Sequence, residues 1–378
     1  MTLPQLPPPH QITTSDQLAQ MVADLWQAQC FALDTESNSL YAYYYQVCLI
    51  QISTDSADYL LDPLVLKDLD ALRDLVAEPE IEVTMHAAEN DLLLLHHDFD
   101  FLFGQVFDTL WAARILGWSK PGLASILKEH FGVVSNKKMQ RADWGKRPLT
   151  EEQLQYARLD THYLLLLRDQ LEMDLRANGR WEEAKEVFGS LTDIRWEEKE
   201  PPTMWRISGV RDLTPQQQAV FLALFDWREK RAQKRDIPPF KVLRNETLLA
   251  LAQEQPTTAN ALRQTPFVPR RLPNHIARQL LNAIRQGQND PAPNRPSRTN
   301  NNRRPTNAEQ ARFERLRAWR IQVARQRGVD PDVVLTNQVL MALARAHPDN
   351  IDDLKATELL GPWKLDAYGS AILKAMTG

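Results

Sequence analysis

The sequence lacks the features that mark membrane-spanning and secreted proteins. Among its 378 residues no apolar run approaches the roughly 18–20 residues that a membrane-spanning helix requires. The stretch Met1 to His10 is rich in proline and has no basic start followed by an apolar segment. No secretory signal is therefore expected. These absences predict a cytoplasmic protein that has no membrane partner.

Cysteine is scarce, and the motifs of several enzyme classes are missing. Cys30 and Cys48 are the only cysteines and form no CxxC pair, which predicts a reducing compartment, no disulfide framework and two small core residues. The histidines lack the spacing of a zinc site, there is no HExxH motif, and His86 is expected to pack in the core or on the surface. The absence of a GxxxxGK[ST] motif disfavours an ATP-driven motor.

The charge is distributed unevenly along a chain of otherwise ordinary composition. Apolar residues make up 43% and charged residues 25%, as in globular proteins, and the length suits two or three domains. Residues 1–210 contain 18 basic and 33 acidic residues, a net charge of −15, whereas residues 211–378 contain 27 and 16, a net charge of +11. The basic half could attract a polyanion such as RNA, but ordinary variation between surfaces explains the charge alone equally well.

The first half of the chain has the pattern of an α/β domain. Cys30 to Leu33, Val47 to Ser53, Asp58 to Asp62 and Ile81 to His86 have the composition of strands. Helices are predicted for Leu66 to Ala77 and Asn90 to His97, and for a segment that starts at a capping box, Thr150 to Gln153, and runs through Leu154, Leu164 and Leu171. This mixture predicts one mixed sheet covered by helices.

The second half is predicted to be all helical and contains an internal repeat with a constant offset of 92 positions. Asp226-Trp227-Arg228 recurs as Ala318-Trp319-Arg320, and Leu243 to Leu248 recurs as Leu335 to Leu340. Because Trp227 and Trp319 are equivalent, a core role is favoured over ligand contact. The predicted domains are residues 1–205, then a helical domain at 211–288, a flexible basic linker at 289–307 and a second helical domain at 308–378.

Four acids and a tyrosine are the candidate catalytic residues. Asp34 and Glu36 follow an apolar strand, and residues two apart in a strand share a face. Tyr156 and Asp160 share a helical face, and Asp91 starts another helix. Acids held together repel each other unless a cation or proton neutralises them, and Mg²⁺ or Mn²⁺ prefer oxygen ligands. Each piece alone is equally compatible with solvated acids.

Taken in order, Asp34-x-Glu36, Asp91 and Tyr156-x-x-x-Asp160 resemble the three exonuclease motifs of the DEDD superfamily. The histidine branch of that superfamily has its histidine where this chain has Gln155, so Tyr156 indicates the tyrosine branch. The segment Lys138 to Leu149 is similar to the one before the third motif in ribonuclease D proteins. The repeats resemble the domain that ribonuclease D shares with RecQ-type helicases.

This resemblance implies a ribonuclease H-like α/β exonuclease domain followed by two small all-α domains. It further implies two divalent metal ions, Mg²⁺ or Mn²⁺, with Asp34 bridging both ions and Glu36, Asp91 and Asp160 completing their shells. Tyr156 would hold the attacking water, since an unperturbed phenol with a pKa of about 10 is a poor base at neutral pH. Candidate RNA-binding residues near the third motif are the basic side chains Lys137, Lys138, Arg141 and Arg147.

The predicted reaction is metal-dependent removal of nucleoside 5′-monophosphates from the 3′ ends of RNA. The resemblance implies precursor transfer RNAs and other small structured RNAs as partners, and we expect a monomer. Two alternatives remain open at this point. An exonuclease that acts on DNA would use the same carboxylates, and an RNA-binding adaptor without catalysis could be built from the basic repeats. The complete set of acids disfavours the adaptor.

Overall fold

The computed structural model describes residues 8–198, 202–294 and 303–377. Within these ranges the strands β1 to β6 are His10–Ile12, Cys30–Ser37, Val47–Ser53, Asp58–Leu61, Glu82–Met85 and Gln105–Asp108. The helices α1 to α8 are Ser15–Ala28, Asp70–Val76, Glu89–Phe99, Thr109–Leu116, Leu123–Phe131, Glu151–His162, Leu164–Ala177 and Trp181–Leu191. Helices α9 to α13 are Pro215–Arg235, Pro239–Val242, Asn245–Glu254, Ala259–Gln264 and Asn274–Asn289. Helices α14 to α18 are Asn307–Arg327, Pro331–Val334, Asn337–Ala346, Ile351–Ala356 and Pro362–Thr377. None of the helices in these ranges is long and apolar enough to cross a membrane.

The strands form one mixed sheet, as predicted, with the order β1-β4-β3-β2-β5-β6. Strand β2 lies near the middle, antiparallel to β3 and parallel to β5. Strands β5 and β6 are also parallel, so β2, β5 and β6 have their carboxyl ends at one edge of the sheet. This edge is where ligands bind in many open α/β sheets.

Helices cover both faces of the sheet because side chains alternate along its strands. Phe31 and Leu33 of β2 are fully buried in a core shared with α1, α2 and α3. Ala32 lies on the opposite face, in a core shared with α4, α7 and α8. Asp34 and Glu36 follow Ala32 at intervals of two, so they lie on that second face as well.

Most predicted elements of the first half are present, although several of their bounds differ by one or more residues. Strand β2 extends through Asp34 and Glu36 to Ser37, because β3 pairs with it along this length. Helix α2 begins at Asp70, four residues later than predicted. The capping box at Thr150 is confirmed, but the single long helix predicted after it is wrong. The helical hydrogen-bond pattern is interrupted at Tyr163, whose φ is −99° and ψ is −1°, and this residue separates α6 from α7.

A buried ionic network lies beneath α6. The guanidinium of Arg158 donates to the Asp58 carboxylate of β4 over 2.6 Å, and both side chains are almost completely buried. His162 and Ser53 also hydrogen-bond to Asp58, at 2.9 and 2.7 Å. Burial alone would raise the pKa of Asp58, but the hydrogen bonds from His162, Ser53 and Arg158 lower it below its ordinary value. The network therefore fixes α6 to the sheet through a charged carboxylate.

The repeat predicted in the second half is present as two copies of one helical domain. Helices α9 to α12 and α14 to α17 begin and end at positions that differ by 92 throughout. The buried guanidinium of Arg228 donates to the carbonyl of Leu243, and that of Arg320 donates to Leu335 in the same way. The core role predicted for the equivalent tryptophans holds only in part, since each is half-buried against its core.

The chain folds into two compact units. The first contains the described residues of Met1–Ser37, Val47–Trp196 and Arg303–Gly378, so the second helical copy belongs with the sheet. The second contains Asn38–Gln46 and the described residues of Glu197–Asn302. The predicted domain limits stay a prediction, and residues 295–302 of the predicted linker lie outside the described residues.

Within the first unit, charged contacts attach the second helical copy to the sheet domain. Arg327 forms a two-pronged salt bridge with the buried carboxylate of Glu183 on α8. Glu186, also on α8, accepts a hydrogen bond of 2.6 Å from the backbone of Trp363 at the start of α18. Arg114 and Asp332 form a further salt bridge of 2.5 Å.

The Asp58→Asn variant tests the network beneath α6. At neutral pH we expect it to lower the free energy of unfolding by about 3 kcal/mol, because it leaves Arg158 buried without its counter-ion. Because the folded-state pKa of Asp58 lies below the unfolded value of about 3.9, the wild-type advantage is complete above that pH. It is lost as the pH falls and Asp58 takes up a proton.

Urea unfolding of both proteins from neutral to acidic pH measures this difference. Glu129→Gln, which removes one partner of the exposed Lys120–Glu129 pair, is the control and should leave the midpoint almost unchanged. If the difference in unfolding free energy between the wild type and Asp58→Asn persisted at acidic pH, the stabilisation would not depend on the charge of Asp58.

Candidate active site

Three elements bring the predicted catalytic residues together at the carboxyl edge of the sheet. Asp34 and Glu36 lie on β2, Asp91 lies in the first turn of α3, and α6 carries Tyr156 and Asp160. Helix α6 packs on β2 and β3. All five side chains predicted from the motifs therefore belong to one site.

Hydrogen bonds within this group orient two of its carboxylates. The hydroxyl of Thr35, which stands between Asp34 and Glu36, donates to the carboxylate of Asp91. One helical turn separates Tyr156 from Asp160, and the phenol donates to that carboxylate. The site is thus an arrangement of acids with hydroxyl groups placed between them.

The acids repel one another at a partly buried site. Burial, followed by the charges of Asp91, Asp160 and Glu36, raises the pKa of Asp34 well above its ordinary range. Burial and neighbouring acids also raise the pKa of Glu36 to about 9, and the pKa of Asp160 to about 7. Four like charges in this volume require a cation or bound protons, as expected from the sequence.

A cavity of about 370 Å³ opens onto the acids. Its walls include Asp34, Tyr156 and Asp160, and Lys137 stands among them as the basic side chain. The loop Gly122 to Ser125 forms another part of the wall. An extended anionic substrate could thus meet carboxylates and an ammonium group within one cavity.

The donor set suits Mg²⁺ or Mn²⁺ in its chemistry. Carboxylate oxygens are the ligands that these ions prefer, and the raised pKa values mark a site that gains from positive charge. Among the described residues, however, no three His, Cys, Asp or Glu side chains stand ready to hold an ion as they are. Asp91 and Asp160 instead accept hydrogen bonds from the hydroxyl groups of Thr35 and Tyr156.

Comparison with known protein families agrees with this geometry. The sequence model of a 3′-5′ exonuclease family matches residues 9–176, and that of the HRDC domain matches residues 217–284 and 309–376. Escherichia coli ribonuclease D is 33% identical over 256 residues, which cover 66% of this chain and 68% of that protein. The chain belongs to the ribonuclease D family.

Two further comparisons extend the likeness. The crystal structure of Escherichia coli RNase D, described as an exoribonuclease involved in structured RNA processing, matches with a TM-score of 0.70 and 26% identity over 98% of both chains. Human exosome complex component 10 is 36% identical over 66% of this chain. The aligned region spans only 29% of that longer protein. The α/β exonuclease fold with helical domains is therefore confirmed for this family member.

The four basic residues predicted to contact RNA occupy different environments. Lys137 lines the cavity, and Lys138 and Arg141 are exposed next to it in sequence. Arg147 instead uses its guanidinium inside the protein. It forms a two-pronged salt bridge with Asp62 and donates to the backbone carbonyls of Cys48, Trp144 and Lys146. Contact with RNA stays a prediction for all four, and at Arg147 it would have to compete with these bonds.

No motif in the sequence indicated Asp108, which organises the start of α3. Its fully buried carboxylate caps α4 by accepting from the backbone of Leu110 and Trp111. The same carboxylate accepts from Ala87 and Ala88, at 3.2 and 2.8 Å. Ala87 has a positive φ of 62°, a conformation that needs such support, and α3 with Asp91 follows at once. Asp108 therefore positions Asp91 through the backbone.

His86 was expected to pack in the core or on the surface. In the structure it also lines the cavity. The hydroxyl of Thr109 donates to the carbonyl of Met85, so it accepts from Nδ1 of His86 at 2.9 Å. Burial lowers the pKa of His86 to about 4, which keeps the imidazole neutral near pH 7. Nε2 therefore carries a lone pair at the site. No spacing in the sequence could have indicated this.

The Asp108→Asn variant tests the positioning of Asp91. The amide nitrogen that replaces one carboxylate oxygen cannot accept a hydrogen bond from a backbone N–H group. The variant therefore loses the bonds that this oxygen accepts in the wild type. We expect Mg²⁺ or Mn²⁺ affinity to fall by about 10- to 100-fold, the usual cost of losing a group that orients a ligand. Hydrogen exchange at the start of α3 should become faster.

Calorimetric metal titration and amide exchange measure the two effects. The control is Thr14→Ala, which removes the N-cap of α1, a helix without site residues. It should cost about 1 kcal/mol of stability and leave metal affinity unchanged. Equal losses of metal affinity in both variants would show that Asp108 acts only through general stability.

Proposed function

We propose that this chain is a divalent-metal-dependent 3′-5′ exoribonuclease that releases nucleoside 5′-monophosphates. We propose that precursor transfer RNAs and other small structured RNAs are its substrates, and that it acts as a monomer in the cytoplasm. The observation that carries the proposal is that four acids lie close enough to raise the pKa of Asp34, and that Asp34 and Asp160 line one cavity together with Tyr156. The description of Escherichia coli RNase D as an exoribonuclease involved in structured RNA processing supports the choice of substrate.

The four carboxylates would bind two Mg²⁺ or Mn²⁺ ions, with Asp34 as the shared ligand. Such a pair of ions activates a water at neutral pH and stabilises the leaving oxygen. Glu36, Asp91 and Asp160 would complete the two shells. Because burial, and then the charges of neighbouring acids, raise their pKa values, neutralising their charges stabilises the site.

Tyr156 would position the attacking water through its hydroxyl. Burial, followed by the charges of Asp160, Glu36 and Asp34, raises the pKa of Tyr156 above its ordinary value of about 10. The phenol therefore keeps its proton and acts as a hydrogen-bond donor rather than as a general base. Near the cavity, Lys137, Lys138 and Arg141 would attract the phosphodiester backbone of the RNA.

Digestion assays with Asp34→Asn test the proposed reaction. The variant keeps the size of the side chain but loses the charge, so we expect stepwise RNA shortening to slow by about a thousandfold or more. Asp55→Asn, at an exposed turn, is the matched control and should digest like the wild type. The substrates are a 3′-tailed transfer RNA precursor and a matched single-stranded DNA, each with Mg²⁺, Mn²⁺ or a chelator.

Release of 5′-monophosphates, detected by chromatography, would identify the bond that is cleaved. Equal or faster digestion of the DNA would favour the DNA exonuclease instead. Binding of RNA without shortening under every metal condition would favour the adaptor.

A further inference from the structure

A groove runs between α9 and α13 of the first helical domain and encloses about 670 Å³. We call it the α9–α13 groove. Its lining residues are Ala223, Asp226, Trp227, Lys230, Arg231, Lys234, Arg235, Gln279, Asn282, Ala283 and Gln286. All of them belong to one compact unit, and none of them lines the cavity at the carboxylates.

The α9–α13 groove presents a row of available cations. Among the described residues, Lys230, Lys234 and Arg235 are exposed and form no salt bridge. Arg231 lies 5.7 Å from the ring centre of Trp227, which is half-buried in the groove. The four cations follow one another at helical spacing, so their charges add along one face of α9.

One acid, Asp226, stands in the same groove. Burial raises its pKa, while the charge of Lys230 opposes that rise. Four basic side chains thus face one carboxylate, together with the amides of Gln279, Asn282 and Gln286. Cations, amides and one aromatic ring are the groups that bind phosphates and sugars of nucleic acids.

The second helical copy has lost this set at the equivalent positions. With the offset of 92, Gln322 replaces Lys230, Val323 replaces Arg231 and Gln326 replaces Lys234. The remaining cation, Arg327, is committed to Glu183 and to the hydroxyl of Tyr368. The same helix face therefore attaches the second copy to the sheet domain.

We propose that the α9–α13 groove binds the sugar-phosphate backbone of the substrate RNA, and that the second copy serves as a docking domain without this function. The proposal rests on the proposed exoribonuclease function, which supplies the RNA. The two helical copies share a fold, but they differ in the charged residues of this helix face and would therefore have different functions.

The test transfers the residues of the second copy to the first in the variant K230Q/R231V/K234Q. The full-length chain is titrated with a 5′-labelled single-stranded RNA in chelator, and fluorescence anisotropy is followed at several salt concentrations. We expect the Kd to rise by about tenfold or more, and the slope of log Kd against log salt to flatten by about 2, since each phosphate contact on a single strand contributes about 0.7. Hydrolysis of a dinucleotide, whose single phosphodiester lies in the catalytic site, should keep its kcat.

The control R317Q/R325Q/K355Q removes the same charge from exposed positions of the second copy. Near wild-type binding by this control, with weak binding by the groove variant, supports the proposal. Equal binding by both variants would overturn it. If the wild type bound RNA in the groove but shortened no RNA, the proposed function would fail while the groove stood.

A second inference rests on Gln51 of β3, whose carboxamide has no hydrogen-bond partner among the described residues. Gln51 is fully buried and stands directly opposite Asp34 in the antiparallel register. Directly opposed residues have side chains on the same face, and Ser53, two residues on, contacts Thr161 of α6. The carboxamide is thus buried beneath α6 next to the acids, where an unsatisfied polar group costs free energy.

We infer that Gln51 is a positioning residue that hydrogen-bonds to a water ligand of a metal ion held by Asp34, given the proposed function. The Asp34 carboxylate accepts a backbone hydrogen bond from Thr35 and stands in a site crowded with acids. A buried carboxamide opposite it offers one donor and one acceptor at fixed positions.

Gln51→Met tests this inference, since methionine has a similar volume and no polar hydrogen-bonding group. In chelator we expect the melting temperature to stay equal or to rise, because a buried unsatisfied group has been removed. The increase in melting temperature on adding Mn²⁺ should shrink, and kcat should fall by about 10- to 100-fold with little change in KM. Leu49→Met, on the same face of β3, is the control for repacking and should retain the Mn²⁺ response. A lower melting temperature in chelator with an unchanged Mn²⁺ response would make Gln51 a structural residue only.

Discussion

The repulsion between four clustered carboxylates is the constraint on which the rest of this structure depends. Asp34, Glu36, Asp91 and Asp160 each have a pKa above the ordinary range, and burial is the largest cause in every case. Such a site does not stabilise a fold. The acids persist only because the strand and the two helices that carry them are stabilised by other interactions.

Those interactions lie directly behind the acids. Helix α6, which carries Asp160, is fixed to the sheet by the buried pair of Arg158 and Asp58. The start of α3, before Asp91, is held by the four backbone hydrogen bonds that Asp108 accepts. Both supporting acids are buried, but each has its oxygens satisfied, whereas the site acids retain free ligand positions. Because their oxygens are already hydrogen-bonded, Asp58 and Asp108 stabilise the fold, whereas the site acids are available to bind a cation.

The order of motifs along the chain was enough to predict the mixed sheet, the two helical copies and the five side chains that the fold brings together; their catalytic role stays a prediction. Residues that act through tertiary contacts could not be predicted in this way. Asp108 and Gln51 are recognised only when the register of β6 against β5 and of β3 against β2 is known. The break between α6 and α7 was missed because leucines continue with helical spacing on both sides of Tyr163. Arg147 lies in a basic segment, yet its bonds to Asp62, 85 positions away, are formed only in the folded chain.

The two helical copies have the same fold, but equivalent residues on their surfaces make different contacts. Buried positions such as Arg228 and Arg320 keep the same residue and the same carbonyl partner, because the core of the domain requires them. Position 235 of the first copy and position 327 of the second are both arginine, but Arg235 is exposed while Arg327 is bonded to Glu183. An identical residue therefore contributes free charge in one copy and an internal salt bridge in the other. Net charge read from the sequence counts both equally, whereas attraction of a polyanion depends on the exposed charges. The basic half of the chain is thus less uniform as an RNA-binding surface than its composition suggests.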